Sequence, residues 1–238
     1  MKKSLKIGFS GHPGVGKSTL IKQISRSIDN VITTDEPARI VIDLLGIEED
    51  KTSFQKAVLS SFITVEYEID KLRKIDNDRH FIFDRILSDV FIFFEYYKLD
   101  KGLIQMLVEK VSNFYRKGVL KPYNAIYILN SGPKFIEKYK DFYLENLKDN
   151  QRKVMDEYSL LENYIIMCKE FSDISLKYIT LLQKLSGEKF FENLFIIESE
   201  GFILNENDTV YEVLDRRNTF VINDIKMFIQ EVNEDVTF

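Results

Sequence analysis

The sequence predicts an α/β fold, a three-layer sandwich in which a five-stranded parallel sheet lies between two layers of helices. Three observations carry that expectation. Short apolar segments alternate along the chain with longer segments of helical spacing. A glycine-rich turn, GHPGVGKST (11–19), joins the first strand-like segment directly to a helix. The next two strand-like segments end near carboxylates, Glu36 and Asp84. Polar features therefore gather at the carboxyl edge of the sheet, where open α/β sheets bind ligands.

The elements follow in order. LKIGFS (5–10) reads as a short buried strand. Leu20, Ile21, Ile24 and Ile28 recur at helical spacing and predict a helix over 17–28. VITT (31–34) is β-branched and reads as the second strand. Pro37 suits the first position of a helix, which runs over 38–46 until Gly46 stops it. Residues 47–52 are charged and loop-like. Ser53 is a candidate cap for a helix over 54–74. HFIFD (80–84) is the third strand, followed by helices near 88–97 and 103–117. AIYILN (125–130) and LFIIES (194–199) are the fourth and fifth strands. A charged, Tyr-rich helical stretch, 133–186, separates them, and a helical tail begins near Asp208. Residues 1–238 read as a single domain with a helical lid or insert at about 131–186.

Composition narrows the function. The chain has 238 residues, 45% of them hydrophobic, enough for a substantial core, and a net charge of −5. An acidic balance argues against a nucleic-acid partner, although a site can be locally positive on an acidic protein. Cys168 is the sole cysteine, so no intramolecular disulfide forms. Its neighbours Ile165, Ile166, Met167 and Phe171 suggest a buried, inert thiol. The two histidines, His12 and His80, show no zinc-site spacing. The basic start lacks the apolar region of a signal peptide, and no apolar run approaches the ~18–20 residues of a membrane span. The expectation is a cytoplasmic protein without a membrane partner. A homodimer is compatible with these features.

Gly11, Gly16, Lys17 and Ser18 fit GxxxxGK[ST], with a strand before and a helix after. Glycines let successive N–H groups turn inward, and the helix N-terminus adds partial positive charge. The backbone from Gly11 to Thr19, including Gly14, Val15 and Gly16, is thus expected to cradle phosphates. Lys17 would reach the β- and γ-phosphates and Ser18 would ligand Mg²⁺. Thr19 would support the turn or touch the α-phosphate. An ordinary strand–turn–helix gives no reason for a lysine at the helix start, where its charge opposes the helix dipole. No guanine-reading Asn-Lys-x-Asp occurs, and Asp84 continues as Arg85-Ile86 rather than Asp-x-x-Gly. ATP is therefore the expected donor.

Asp84 ends an apolar strand and could hold Mg²⁺, directly or through water, or simply cap the next helix. Arg85 suits a second phosphate or a phosphoryl group in transfer. Glu36 could accept a proton from an attacking hydroxyl, or serve only as first-turn helix charge.

Taken in order, four segments resemble the P-loop nucleoside and nucleotide kinases, most of all the deoxynucleoside kinase branch: GHPGVGKST, TTDEPAR with Glu36-Pro37, SFQKAV with Phe54-Gln55, and FDRILSD. The last is also similar to the Asp-Arg of thymidylate kinases. The resemblance covers about 5–130. It implies the strand order 2-3-1-4-5, Glu36 as general base or hydroxyl anchor, Gln55 as a nucleobase reader, Asp84 serving Mg²⁺ and Arg85 clamping phosphate. Gln55 could equally be an exposed first-turn residue. Asp84 stands where deoxynucleoside kinases usually carry Glu, and Ile86 where they carry Ser. Nicotinamide riboside kinase-type ATPase domains are also similar through Glu36-x-x-Arg39 and Asp84-Arg85.

Kinases of this kind close a lid over the site to exclude water. The stretch after the fourth strand has that place, with Arg152 as its candidate arginine and Lys148 and Lys153 near it. Lys alternates with Tyr and Phe over 131–143, which reads as an amphipathic helix rather than a single-strand platform, because Glu137, Asp141, Glu145 and Asp149 offset the lysines. Arg216 and Arg217 could flank an adenine or line a surface. The sequence thus leads to an ATP-dependent phosphotransferase acting on a nucleoside or nucleotide. The alternative is a P-loop ATPase or nucleotide-gated module with no small-molecule acceptor.

Overall fold

The computed structural model describes residues 3–37, 51–76, 78–96, 98–146 and 157–234. Its strands are β1 (Lys6–Gly11), β2 (Val31–Thr34), β3 (His80–Asp84), β4 (Tyr123–Asn130) and β5 (Phe191–Glu198). They form one sheet in the order β2-β3-β1-β4-β5, and every neighbouring pair is parallel. This is the order that the resemblance implied. The described helices are α1 (Lys17–Ser27), α2 (Lys51–Ile75), α3 (Leu87–Tyr96), α4 (Lys101–Arg116), α5 (Pro133–Lys138), α6 (Lys140–Asn146), α7 (Glu157–Leu185) and α8 (Val210–Glu234). A 3₁₀ turn, Ser199–Phe202, follows β5. No described helix is long and apolar enough to cross a membrane.

Alternation along β1 divides the core. Leu5, Ile7 and Phe9 pack with Leu20, Ile21 and Ile24 of α1 and Val221, Ile222 and Ile225 of α8. Lys6, Gly8 and Ser10 face the opposite layer, as a period of two requires. On that side Phe81, Phe83, Ile126 and Ile128 meet α2, α3, α4 and α7. Gly8 is needed for the close approach: a Cβ there would lie 2.2 Å from Cγ2 of Ile86. A third cluster, with Phe135, Ile136, Tyr143, Tyr164, Cys168, Val210 and Val213, packs α5, α6, α7 and α8 together.

Lys6 is fully buried, which a strand of an apolar core tolerates only with partners. Its Nζ lies 2.8 Å from Glu66 and 3.6 Å from Asp70 of α2. Glu66 also accepts from the hydroxyls of Tyr115 and Tyr123. Lys6→Met should therefore cost about 3–5 kcal/mol, because it leaves the buried Glu66 carboxylate without its ammonium, while Asp70 keeps Arg73 at 3.6 Å. Urea unfolding of the variant measures this; a midpoint matching the wild type would show the carboxylates to be satisfied without Lys6.

Several boundaries differ from the sequence expectation. β4 and β5 begin earlier, at Tyr123 and Phe191, because these aromatics pair across the ladder as one register. Ser53 lies inside the first turn of α2, which starts at Lys51, so it is not the cap. Asp100 is the unanticipated cap of α4, accepting from the Leu103 N–H at 2.9 Å. The stretch 133–186 begins as two short helices, because Tyr139 leaves helical geometry at φ −111° and ψ 34°. The helix expected over 38–46 lies outside the described residues.

Candidate active site

The loop after β1 takes conformations that side chains resist: φ is 143° at Gly11, 80° at Gly14 and 89° at Gly16. Val15 is buried, while Ser18 and Thr19 are exposed. His12 is fully buried beneath the loop. Its Nδ1 sits 2.8 Å from the Pro13 carbonyl and its Nε2 3.1 Å from the Ser131 hydroxyl, which contacts Tyr143 at 2.8 Å. The Tyr164 hydroxyl donates to the Pro13 carbonyl at 2.7 Å. Burial above all holds the His12 imidazole down to about 3, with Lys17, Arg85 and Arg217 adding to the effect. His12 is thus a neutral strut between the loop and the segment after β4.

Lys17 opens α1 and is buried, its Nζ donating to the carbonyls of Gly11 at 2.8 Å and His12 at 3.1 Å. Burial, then Arg85, pulls its pKa below the usual lysine value; Asp84, Asp89 and Glu36 pull it back. The next residue, Ser18, donates to Oδ2 of Asp84 at 2.6 Å. The ends of β1 and β3 thus bring a hydroxyl and a carboxylate together. These are hard oxygen donors that fit Mg²⁺, which keeps several waters and needs few protein ligands. Among the described residues no cluster of three or more His, Cys, Asp or Glu could hold a metal by itself.

Arg85 is buried and carries a left-handed backbone, φ 86°. Such strain in a non-glycine residue persists where its surroundings fix it. The backbone N–H donates to the Phe9 carbonyl at 3.1 Å. The guanidinium donates to the Gly11 carbonyl at 2.7 Å and to Glu36 at 3.2 Å, and lies 3.6 Å from Asp89. The rings of Phe93 and Phe171 lie 5.4 Å from its carbon. One side chain therefore links the loop, the end of β2 and α3.

Lys17, Ser18, Glu36, Asp84 and Arg85 are brought together at the carboxyl edge of the sheet. Gln55, on α2, is buried rather than exposed, and its Oε1 has no hydrogen-bond partner among the described residues. The reading of Gln55 as an exposed first-turn residue is corrected by packing: the position lies on the same helical stripe as the buried Val58, Leu59 and Phe62 of α2. Arg39, Lys148, Arg152 and Lys153 lie outside the described residues. The Cys168 thiol is buried and raised to about 12 by that burial, which leaves little thiolate to react.

Two residues of the site received no assigned role from the sequence. Asp89 is fully buried, accepts from Ser10 at 2.5 Å, and has its pKa raised by burial against the pull of Arg85. Its place in the first turn of the helix that follows the Asp84-Arg85 strand end was the available signal. Of the two places the sequence leaves open for Arg217, beside an adenine or on a surface, its burial excludes the surface. It is fully buried on α8 and donates to the Val15 carbonyl at 2.8 Å. Val213, Arg217 and Val221 follow at i, i+4 and i+8 on the buried stripe, a pattern that places Arg217 inside. Arg216, by contrast, pairs with Asp208 at 2.8 Å near the surface.

Comparison with known proteins bears on this arrangement. A family model described as an AAA domain matches residues 6–131. Comparison with curated proteins finds no match. Among solved structures, the NadR protein in complex with NR is similar at a TM-score of 0.57 and 14% identity, over 95% of this chain and 51% of that one. The chain thus spans about half the length of NadR. Thymidylate kinase from Ehrlichia chaffeensis is similar at 0.55 and 18% identity, over 94% and 99% of the two chains. Deoxyadenosine kinase from M. mycoides is similar at 0.50 and 16% identity, over 94% and 100%. At such identities the likeness is one of fold. The family model, however, runs from β1 through the phosphate loop to the end of β4, more than half of the 238 residues, and the chain belongs to the AAA domain family, within the P-loop nucleotide kinase-like fold.

Proposed function

We propose that this chain is an ATP-dependent phosphotransferase that moves the γ-phosphate to a nucleoside or nucleotide. The observation that carries the reading is the link through Arg85 between the loop carbonyl of Gly11 and the carboxylate of Glu36. A donor loop and a candidate base thereby sit on either side of one guanidinium. A bare ATP-binding loop has no need of that second carboxylate.

On this reading the loop N–H groups and Lys17 hold the phosphate chain of ATP. Ser18 and Asp84 would hold Mg²⁺, which supplies charge to neutralise the β- and γ-phosphate oxygens. Gln55 presents a buried amide to the acceptor. Glu36 takes the proton of the acceptor hydroxyl, whose oxygen forms the new bond to the γ-phosphorus. The bond from that phosphorus to the bridging oxygen breaks, and ADP leaves. Arg85 follows the developing charge across the transferring group. The helical insert of 131–186 serves as the lid that excludes water, within a domain spanning 1–238.

The test is ATP turnover with Mg²⁺ across nucleosides, nucleoside monophosphates and nicotinamide riboside, beside a control without acceptor. One acceptor should accelerate ADP formation and gain the phosphate. ADP formed at one rate throughout, acceptor or none, would replace this reading with an ATPase or nucleotide-gated module.

A further inference from the structure

Arg217 is among the largest fully buried side chains of the protein. A buried guanidinium is ordinarily paired with a carboxylate, because burying an unpaired charge is costly. Here the described partners are neutral: the carbonyl of Val15 at 2.8 Å, the hydroxyl of Ser199 at 3.0 Å and the amide oxygen of Asn218 at 2.9 Å. Among the described residues no carboxylate pairs with it. Desolvation pulls its pKa down to about 10, and only Tyr143 opposes.

Position gives this charge a direction. Arg217 binds the back of the phosphate loop, where a Cβ on Gly16 would lie 3.1 Å from its guanidinium. Among the described residues no peptide bond is cis. In a trans peptide the C=O and N–H point opposite ways. The guanidinium on the Val15 carbonyl therefore aligns the Gly16 N–H away from α8. A charge on the acceptor end of a peptide also polarises it and strengthens its N–H as a donor. The remaining acids of the site cluster instead around Lys17 and Arg85. Asn218, the next residue, donates to Gln23 of α1 at 2.7 Å, which fixes α8 against the helix that the loop opens.

We infer that Arg217 is a positioning residue of the phosphate loop: from behind, its uncompensated charge orients and polarises the Val15–Gly16 peptide and favours a polyphosphate in front. This rests on the phosphate-binding reading of the loop. It differs from the roles of Lys17 and Arg85 because Arg217 acts through the loop rather than by contact with the ligand. It also accounts for an arginine where packing alone would favour an apolar residue. Bound phosphate would supply the negative charge that no described residue places beside it.

The experiment compares wild type with Arg217→Met, Arg217→Gln and Arg217→Lys by calorimetric titration with Mg-ATP, inorganic tripolyphosphate and adenosine, and by thermal unfolding without ligand. Arg217→Met should weaken ATP and tripolyphosphate by about tenfold or more while leaving adenosine binding unchanged. Its ligand-free melting temperature should equal or exceed that of the wild type, since an apolar side chain replaces an unpaired buried charge. Arg217→Gln keeps a donor for Val15 without the charge, so it should show the same loss and answers the question if Arg217→Met does not fold. Arg217→Lys should recover most of the phosphate affinity. Neutral variants that bind tripolyphosphate like the wild type would overturn the inference. So would an equal loss for adenosine and ATP, which would mark a purely structural role. If the wild type itself bound neither ATP nor tripolyphosphate, the phosphate-site reading would fall first.

Discussion

Lys17→Met is expected to lower kcat/KM for ATP-dependent transfer by about 10³-fold, the scale on which a fixed charge on a transferring phosphoryl group acts. The fold should survive the change. Methionine matches the length of the lysine stem, and the side chain is only 6% exposed. What disappears is an ammonium held at the loop by the Gly11 and His12 carbonyls. Burial lowers the pKa of this lysine from the ordinary 10.5. A phosphate placed beside it favours the charged form and raises the pKa again. Binding of ATP should therefore take up protons in the window between the lowered value and the ordinary one, an uptake lost in Lys17→Met. Turnover assays together with calorimetry in buffers of different ionisation enthalpy measure both effects. Turnover within about tenfold of wild type would remove Lys17 from the transfer.

Glu36→Gln separates acceptor chemistry from nucleotide binding. The acceptor-dependent rate should fall about 10²–10⁴-fold, the usual contribution of a positioned general base. Affinity for ATP should change by no more than about twofold, since the donor loop is untouched. Glutamine keeps an oxygen for the Arg85 Nε, now 3.2 Å from Glu36, so the arginine retains its place. The variant then reports the loss of a proton acceptor rather than a collapse of the site. Measured with and without acceptor, it should behave like the wild type in the control. An acceptor-dependent rate within about threefold of wild type would leave Glu36 only the anchoring of Arg85.

The two residues were not equally legible in the sequence. Lys17 stands in a pattern whose members are neighbours in the chain, so strand, turn and helix could be read together. Glu36 depends on where β2 ends relative to β3, and its meaning came from the resemblance before the Arg85 contact gave it a partner. Gln55 could be read as a base reader or as an exposed first-turn residue from sequence; its burial in the tertiary structure removed the exposed reading. Asp89 and Arg217 needed more still. Each is a charged residue whose significance is the absence of water around it, and burial is a property of surroundings drawn from distant parts of the chain. Arg217 meets Val15 across 202 positions of sequence and Asp89 meets Ser10 across 79.

By itself the sequence determined the alternation of strands and helices, the parallel sheet and the phosphate loop. Hydrophobic period, glycine placement and helix polarity act over a few residues, and those are contiguous. The tertiary structure alone decided which charges are desolvated and what faces them: Lys6 against Glu66, Arg85 between Glu36 and the loop, and Arg217 behind it without a described carboxylate. Such pairings follow from how β1, β3, α2 and α8 pack, and electrostatic strength depends on that packing through the water it excludes.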